Sequence, residues 1–425
     1  RFTQLPSVAI HEIGWFFSVA LAIFLLSKVV RHLARGRSER ALLLLSVFAG
    51  GLGWMGLILP SFQSHAAANH IPDLVTELYF VPSLFAAAHI PLSIALLPFS
   101  LLAVWETLME NKRARLAAIV APPLLLLLHP YFVPLLGVFG LGTLFLTWRK
   151  YHSIRYGLLL SWLILALIAL TPHMLMLVQN PYRRYLLVEN HLALAQPLVF
   201  LLALMPWLLF ILLRRRLSLP LVREESWIVL WMFAAVLTLL FPFAWKRKMI
   251  EAQGLALIWL AWPALLVGWQ KWRKTTPLLF AVFLPIFFLS AKVVTISASP
   301  SSTPERWFVS RSVMQAWLWI RHQTSANAVV IADTNGLGIW TPVYARRESY
   351  LGHPYETPNF SRKQQTHRDI FLSSLPDAIP LLLEKIDAQV VLTSSKQTTA
   401  RLQSALANTT WKDAAAFADT HVWVK

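Results

Sequence analysis

Residues 116–147 read LAAIVAPPLLLLLHPYFVPLLGVFGLGTLFLT, set between the basic runs Lys112-Arg113-Ala114-Arg115 and Trp148-Arg149-Lys150. Lys and Arg gather on the cytoplasmic side of membrane segments, so both ends of this apolar stretch belong on that side. The chain must therefore turn around midway, and His129-Pro130-Tyr131 marks the turn. Each arm is short for a full crossing at about 1.5 Å per residue. Two short helices or a re-entrant pair both fit, and either sets His129 near the outer face or within it.

The same logic extends in both directions. Ile10 to Val30 runs inward to the cluster Lys28, Arg31, Arg35, Arg37 and Arg40, and Ala41 to Pro60 returns outward through Gly50-Gly51-Leu52-Gly53-Trp54. The glycines there allow close helix packing. An outer loop, Ser61 to Leu78, carries Asp73 and Glu77 without any Lys or Arg, and Tyr79 to Leu108 goes back in. Beyond the hairpin, Tyr156 to Val178 exits and Gln196 to Leu213 re-enters, ending at Arg214-Arg215-Arg216. Trp227 to Ala244 exits, Ala252 to Trp269 returns, and Pro277 to Ile296 makes the last exit. The reading is a polytopic α-helical membrane domain over residues 1–296, with about ten membrane segments.

Composition agrees with a membrane class. Of 425 residues, 57% are hydrophobic and only 14% charged, against roughly 25% charged in a soluble domain. Mean hydropathy is +0.56. The net charge of +18 is spread beside apolar segments rather than gathered in one patch, which argues for topology signals and lipid phosphates over nucleic acid. With no cysteine, disulfides, thiolate catalysis and Cys-ligated metals are excluded.

From Ser297 the material changes. Ser310 to Gln323 has amphipathic helical spacing, Val329 to Ala332 and Val390 to Leu392 read as buried strands, and Ile379 to Ile386 as a helix before the second strand. Residues 297–425 are expected to form a small C-terminal α/β domain on the extracytoplasmic side. Asn335-Gly336-Leu337-Gly338 reads as a turn rather than a nucleotide loop.

Three features gather on the outer side. Asp73 and Glu77, four apart, share a face if helical and could bind a divalent metal such as Mg or Mn, orient sugar hydroxyls, or serve as acid and base. A solvated loop is the plainer alternative. Lys246-Arg247-Lys248 with Glu251, and Arg183-Arg184, violate the positive-inside bias, and an anionic lipid-linked phosphate would account for them. Snorkelling to headgroups is the rival explanation. Third, His129 and Tyr131, with His89 and His173 at similar depth, place polar groups where the membrane makes them costly; a hydrogen-bonded core histidine is the plainer alternative. In the C-terminal domain, Tyr350 to Pro358 packs aromatics, His353 and Glu356 into one loop suited to sugar rings, with a plain structured loop as the equal alternative.

With these segments in place the chain resembles a bacterial branch of the GT-C superfamily of integral-membrane glycosyltransferases. The likeness rests on Gly50 to Trp54, Asp73 to Glu77, His129-Pro130-Tyr131, Arg247 to Glu251, Leu351-Gly352-His353 and Glu356-Thr357-Pro358. It implies transfer of a sugar from a polyprenyl-phosphate donor to an acceptor on the extracytoplasmic face of the inner membrane. Arg247 and Lys248 would stabilise the departing phosphate, Asp73 or Glu77 would help the acceptor, and the aromatic interior would hold the isoprenoid. In that superfamily the usual base sits in the first outer loop after a first helix. No such helix precedes Ile10, so the reading expects the N-terminal part with the principal acid to lie before Arg1 and this chain alone to be inactive. A transporter or lipid flippase is the main rival, although the symmetric halves common in transporters are not evident; a non-catalytic assembly factor is the third reading.

Overall fold

The computed structural model describes residues 7–34, 38–48, 89–109, 111–152, 156–179, 197–240, 249–271, 309–352, 357–373 and 375–425. These fall into two compact units, one of helices up to residue 271 and one of mixed sheet and helix from residue 309.

In the first unit, helices α1 (Ser7–Ala34), α2 (Glu39–Phe48) and α3 (His89–Leu108) precede α4 (Arg115–Leu128) and α5 (Val133–Tyr151). Then follow α6 (Tyr156–Gln179), α7 (Pro197–Arg216), α8 (Ser226–Leu239) and α9 (Gln253–Lys271). Among the described residues four helices are long and apolar enough to cross a membrane: Ile13–Ala34, Ile90–Leu108, Pro130–Tyr151 and Leu160–Gln179. Of the segments expected from hydropathy, Pro277 to Ile296 and most of Ala41 to Pro60 lie outside the described residues. Helix α3 is largely enclosed and packs along α1 and α4, whereas α6 is peripheral. Phe16, Phe17, Leu141, Leu163, Leu167 and Phe233 stand outside the packed core. Helices that leave large apolar side chains outward while burying Ser46, Thr143 and Thr147 are arranged for a lipid solvent. Each of those hydroxyls is returned to a carbonyl four residues back: Ser46 Oγ to Leu42 O at 2.7 Å, and Thr143 and Thr147 Oγ1 to Phe139 O and Thr143 O, both at 2.8 Å.

The hairpin can be followed bond by bond. Pro122 has no N–H, so the carbonyl of Ala118 loses its helical donor; Trp162 Nε1 of α6 supplies one at 2.8 Å. At the break after Leu128, the Leu127 carbonyl is bonded by His173 Nε2, also of α6, at 2.9 Å. Both pairs climb in the same direction, so α4 and α6 run parallel. Helix α5, which lies between them in the chain, must therefore run back. The turn at His129-Pro130 reverses the chain, and its tip is the end away from Arg115, Arg149 and Lys150.

A buried ion pair fixes the region between α7 and α8. Arg214 donates to both carboxylate oxygens of Glu225, at 2.6 and 3.1 Å. Its remaining donors reach the carbonyls of Leu219, Pro220 and Leu260 at 3.2, 2.6 and 3.0 Å. A buried guanidinium is tolerable here because every face of it is hydrogen-bonded.

The second unit is built on five strands, β1 (Val329–Ala332), β2 (Glu348–Ser349), β3 (Val390–Thr393), β4 (Lys412–Phe417) and β5 (Thr420–Val424), in the order β2-β1-β3-β5-β4. The first three are parallel, and β5 pairs antiparallel with both β3 and β4. The strand residues alternate between two cores. Val330, Ala332, Val390, Leu392 and Val422 meet α10 (Arg311–Gln323) and α11 (Asn335–Tyr344). Ile331, Val391 and Trp423 meet Ile370 and Phe371 together with α13 (Ile379–Lys385) and α14 (Lys396–Leu406). Helix α12 (Phe360–Arg368) leads into the second core. Ser310 caps α10, its Oγ accepting from Val313 N at 3.2 Å.

Asn335-Gly336-Leu337-Gly338, read as a turn, is instead the first turn of α11, capped by Thr334. The glycine at 338 has a steric reason. A Cβ there would lie 2.0 Å from the Leu351 carbonyl oxygen, so only glycine lets that backbone approach.

Candidate functional site

Of the residues singled out from sequence, His89, His129, Tyr131, His173 and Glu251 fall among the described residues. Asp73, Glu77, Arg183, Arg184, Arg247, Lys248, His353 and Glu356 lie outside them, as do Gly50 to Trp54.

His129 is the hinge between α4 and the short 3₁₀ turn Pro130–Phe132, with φ −142° and ψ 85°. The proline after it excludes helical geometry at its position, which is why the break falls there. Its ring is buried and lies 5.9 Å from that of Phe132. Tyr131 is half-buried beside it. His173 stands at the same level because it bonds Leu127, two residues earlier in the chain. It completes the hydrogen bonding of a broken helix, a structural duty that sequence alone did not show.

The turn before α9 is interior rather than solvent-facing. Met249, Ile250, Glu251, Ala252 and Gln253 are all buried in the helical unit, and Glu251 is fully enclosed. Ala252 adopts φ 61°, left-handed backbone that alanine rarely takes. Strain of this kind collects where a side chain must be aimed at a function. Gln253, the first residue of α9, was not picked out from sequence. It is 6% exposed, and its amide Nε2 has no hydrogen-bond partner. A buried amide donor in an apolar bundle costs free energy until something accepts from it. A carboxylate and an unsatisfied amide therefore stand two residues apart at the N-terminal end of a 19-residue helix. Glu251 can accept from a hydroxyl and Gln253 can donate to one.

In the α/β unit, the carboxyl ends of β1 and β3 collect polar groups. The Asp333 carboxylate accepts from Ser394 N and Ser395 N at 2.7 and 3.1 Å, tying the two strand ends together. His367 Nε2 lies 2.8 Å from Ala332 O. Burial pushes its imidazole below the ordinary value of 6.5, partly opposed by that backbone bond and assisted by Arg368; the carbonyl can only accept, so Nε2 carries the proton of this bond. Lys363 Nζ sits 4.9 Å above the Tyr350 ring, and burial lowers its pKa against the pull of Glu348. The loop that follows Tyr350 is closed at its base, where Gly352 N donates to Thr357 Oγ1 at 3.1 Å. Among the described residues no three His, Asp or Glu side chains converge as a metal site; Asp73 and Glu77, the pair expected to bind a divalent metal, lie outside them.

No protein-family model matches the sequence, and neither does any curated protein. Solved structures of the oligosaccharyltransferase AglB from Archaeoglobus fulgidus are similar in part. The complex with an inhibitory peptide and a dolichol-phosphate has a TM-score of 0.40 and 13% identity, over 92% of this chain and 59% of that one. The complex with Zn and sulfate gives 0.41 and 14%, over 92% and 57%. The apo form gives 0.43 and 13%, over 94% and 60%. The chain thus spans about three fifths of the length of these neighbours.

Proposed function

We propose that the protein is a membrane glycosyltransferase acting on a polyprenyl-phosphate-linked sugar, with the turn Glu251–Gln253 as part of its sugar site. The observation that carries this reading is the burial, two residues apart, of the Glu251 carboxylate and a Gln253 amide whose Nε2 has no hydrogen-bond partner, with Ala252 between them on left-handed backbone. It suits a neutral polyol better than a bare anion, because Glu251 repels negative charge while both groups complement hydroxyls. The basic run Lys246-Arg247-Lys248 immediately precedes this turn in sequence, which supports a phosphate held beside the sugar.

In the mechanism, Arg247 and Lys248 stabilise the phosphate as the glycosidic bond to it breaks. Glu251 and Gln253 orient the ring. Asp73 or Glu77 accepts the proton of the attacking acceptor hydroxyl. His129 and Tyr131, Arg183 and Arg184, and His353 with Glu356 make further contacts to the substrates.

The test uses the chain in liposomes with a radiolabelled polyprenyl-phosphate hexose. Retention of the labelled lipid should fall about 10- to 100-fold in Glu251→Gln and Gln253→Leu, the range for losing one charge-assisted or buried hydrogen bond. Unchanged retention in both variants would defeat the assignment. Net movement of the lipid across the bilayer without transfer would favour a flippase.

A further inference from the structure

One stretch of the α/β unit is built inside out. Between residues 369 and 385 the chain makes a π-helical turn (Asp369–Ser373), a 3₁₀ turn (Pro376–Ala378) and α13. Ile370, Phe371, Ile379 and Leu383 point into the second core and are buried. Leu372, Leu375 and Leu381, interleaved with them, are 72%, 77% and 68% exposed. In the helical unit, apolar side chains this exposed, such as Leu116 and Leu141, belong to apolar helices arranged for lipid. The other large hydrophobics exposed in the α/β unit, Leu318 and Val343, fall well short of those values. Outward leucines at three of ten positions are not the pattern of a solvated loop.

We propose that Leu372, Leu375 and Leu381 form a membrane-contact tip that enters the interface of the bilayer holding the helical unit. Lipid is the occupant the chain itself favours. Fourteen residues, 297–310, separate the end of the apolar run at Ile296 from α10. Fully extended they reach about 50 Å, while a domain of this size has a radius of gyration of about 14 Å. The domain therefore stays within reach of the bilayer, and the leash removes most of the entropy cost that makes a single small anchor marginal. Pro376 and Pro380 open the two short helical turns and pre-order the tip. Exposed Asp377, between Leu375 and Leu381, limits entry to the headgroup boundary. The inference does not depend on the transfer chemistry.

The absence of native cysteine makes the test direct. Leu372→Cys, Leu375→Cys and Lys412→Cys, the last on exposed edge strand β4, are labelled singly with an environment-sensitive fluorophore in the whole chain in vesicles. The labels at 372 and 375 should be quenched at least about fivefold more by spin-labelled lipid than by aqueous iodide, with the reverse at 412. Iodide quenching at 372 and 375 equal to that at 412 would overturn the proposal. Shielding from both quenchers would overturn it too, because it would mean protein covers the tip.

Discussion

At Gly338 and His367 single atoms decide what the α/β unit tolerates. Gly338→Ala puts a methyl group 2.0 Å from a backbone carbonyl that cannot swing aside. The expected loss is about 3 kcal/mol, read as a fall in the urea midpoint of that unit. His367 links stability to pH. Its folded pKa is lowered from 6.5, so as pH falls the unfolded chain takes up the proton first. Stability is complete above 6.5 and is lost below it, at up to about 1.4 kcal/mol per pH unit, until the folded ring also titrates. His367→Gln keeps a donor for Ala332 O and should flatten this slope when unfolding is followed by proteolysis between pH 7 and 5. Neither role could be read from sequence. Asn-Gly-Leu-Gly has the composition of a turn, and helix α11 forms against that preference because Thr334 caps it and Leu337 is buried. Gln253 was invisible for a similar reason: a glutamine at a helix start is unremarkable until its surroundings prove apolar.

Among the elements, hydrophobic periodicity was enough to locate most of what is described. Ser310 to Gln323, Val329 to Ala332 and Val390 to Leu392 fall on α10, β1 and β3 to within a residue, since each carries its own apolar pattern. The β4–β5 hairpin escaped because its outer strand is mostly exposed and its register shifts between Asp413 and Ala415. In the helical unit the basic flanks of residues 116–147 fixed the reversal. What lay beyond sequence was the partner that makes Pro122 in α4 bearable, since Trp162 is 44 residues from the carbonyl it serves. Trp162→Phe should cost about 1 kcal/mol. In Pro122→Ala, which restores the helical donor to Ala118 O, the same change should cost much less, so a double-mutant cycle by thermal unfolding reads the coupling directly. Arg214→Met should cost about 3–5 kcal/mol by stranding Glu225. Pairing it with Glu225→Met should recover most of that loss, because no buried charge then remains.

For the whole molecule, charge asymmetry organises everything else. The parallel course of α4 and α6 puts His129 and His173 at the end away from Arg115, Arg149 and Lys150. The proposed chemistry requires the Arg247 to Gln253 turn and the α/β unit to open to that same compartment. Hydropathy could propose this sorting but could not show where each turn lies in depth, and the enclosed position of Glu251 is the clearest instance. Single cysteines at 215, 247 and 412, probed in intact cells with an impermeant thiol reagent, read the arrangement in one experiment. Positions 247 and 412 should label while 215 stays unmodified until the membrane is permeabilised. Labelling of 215 together with either of the others, or protection of 412 in intact cells, would contradict it.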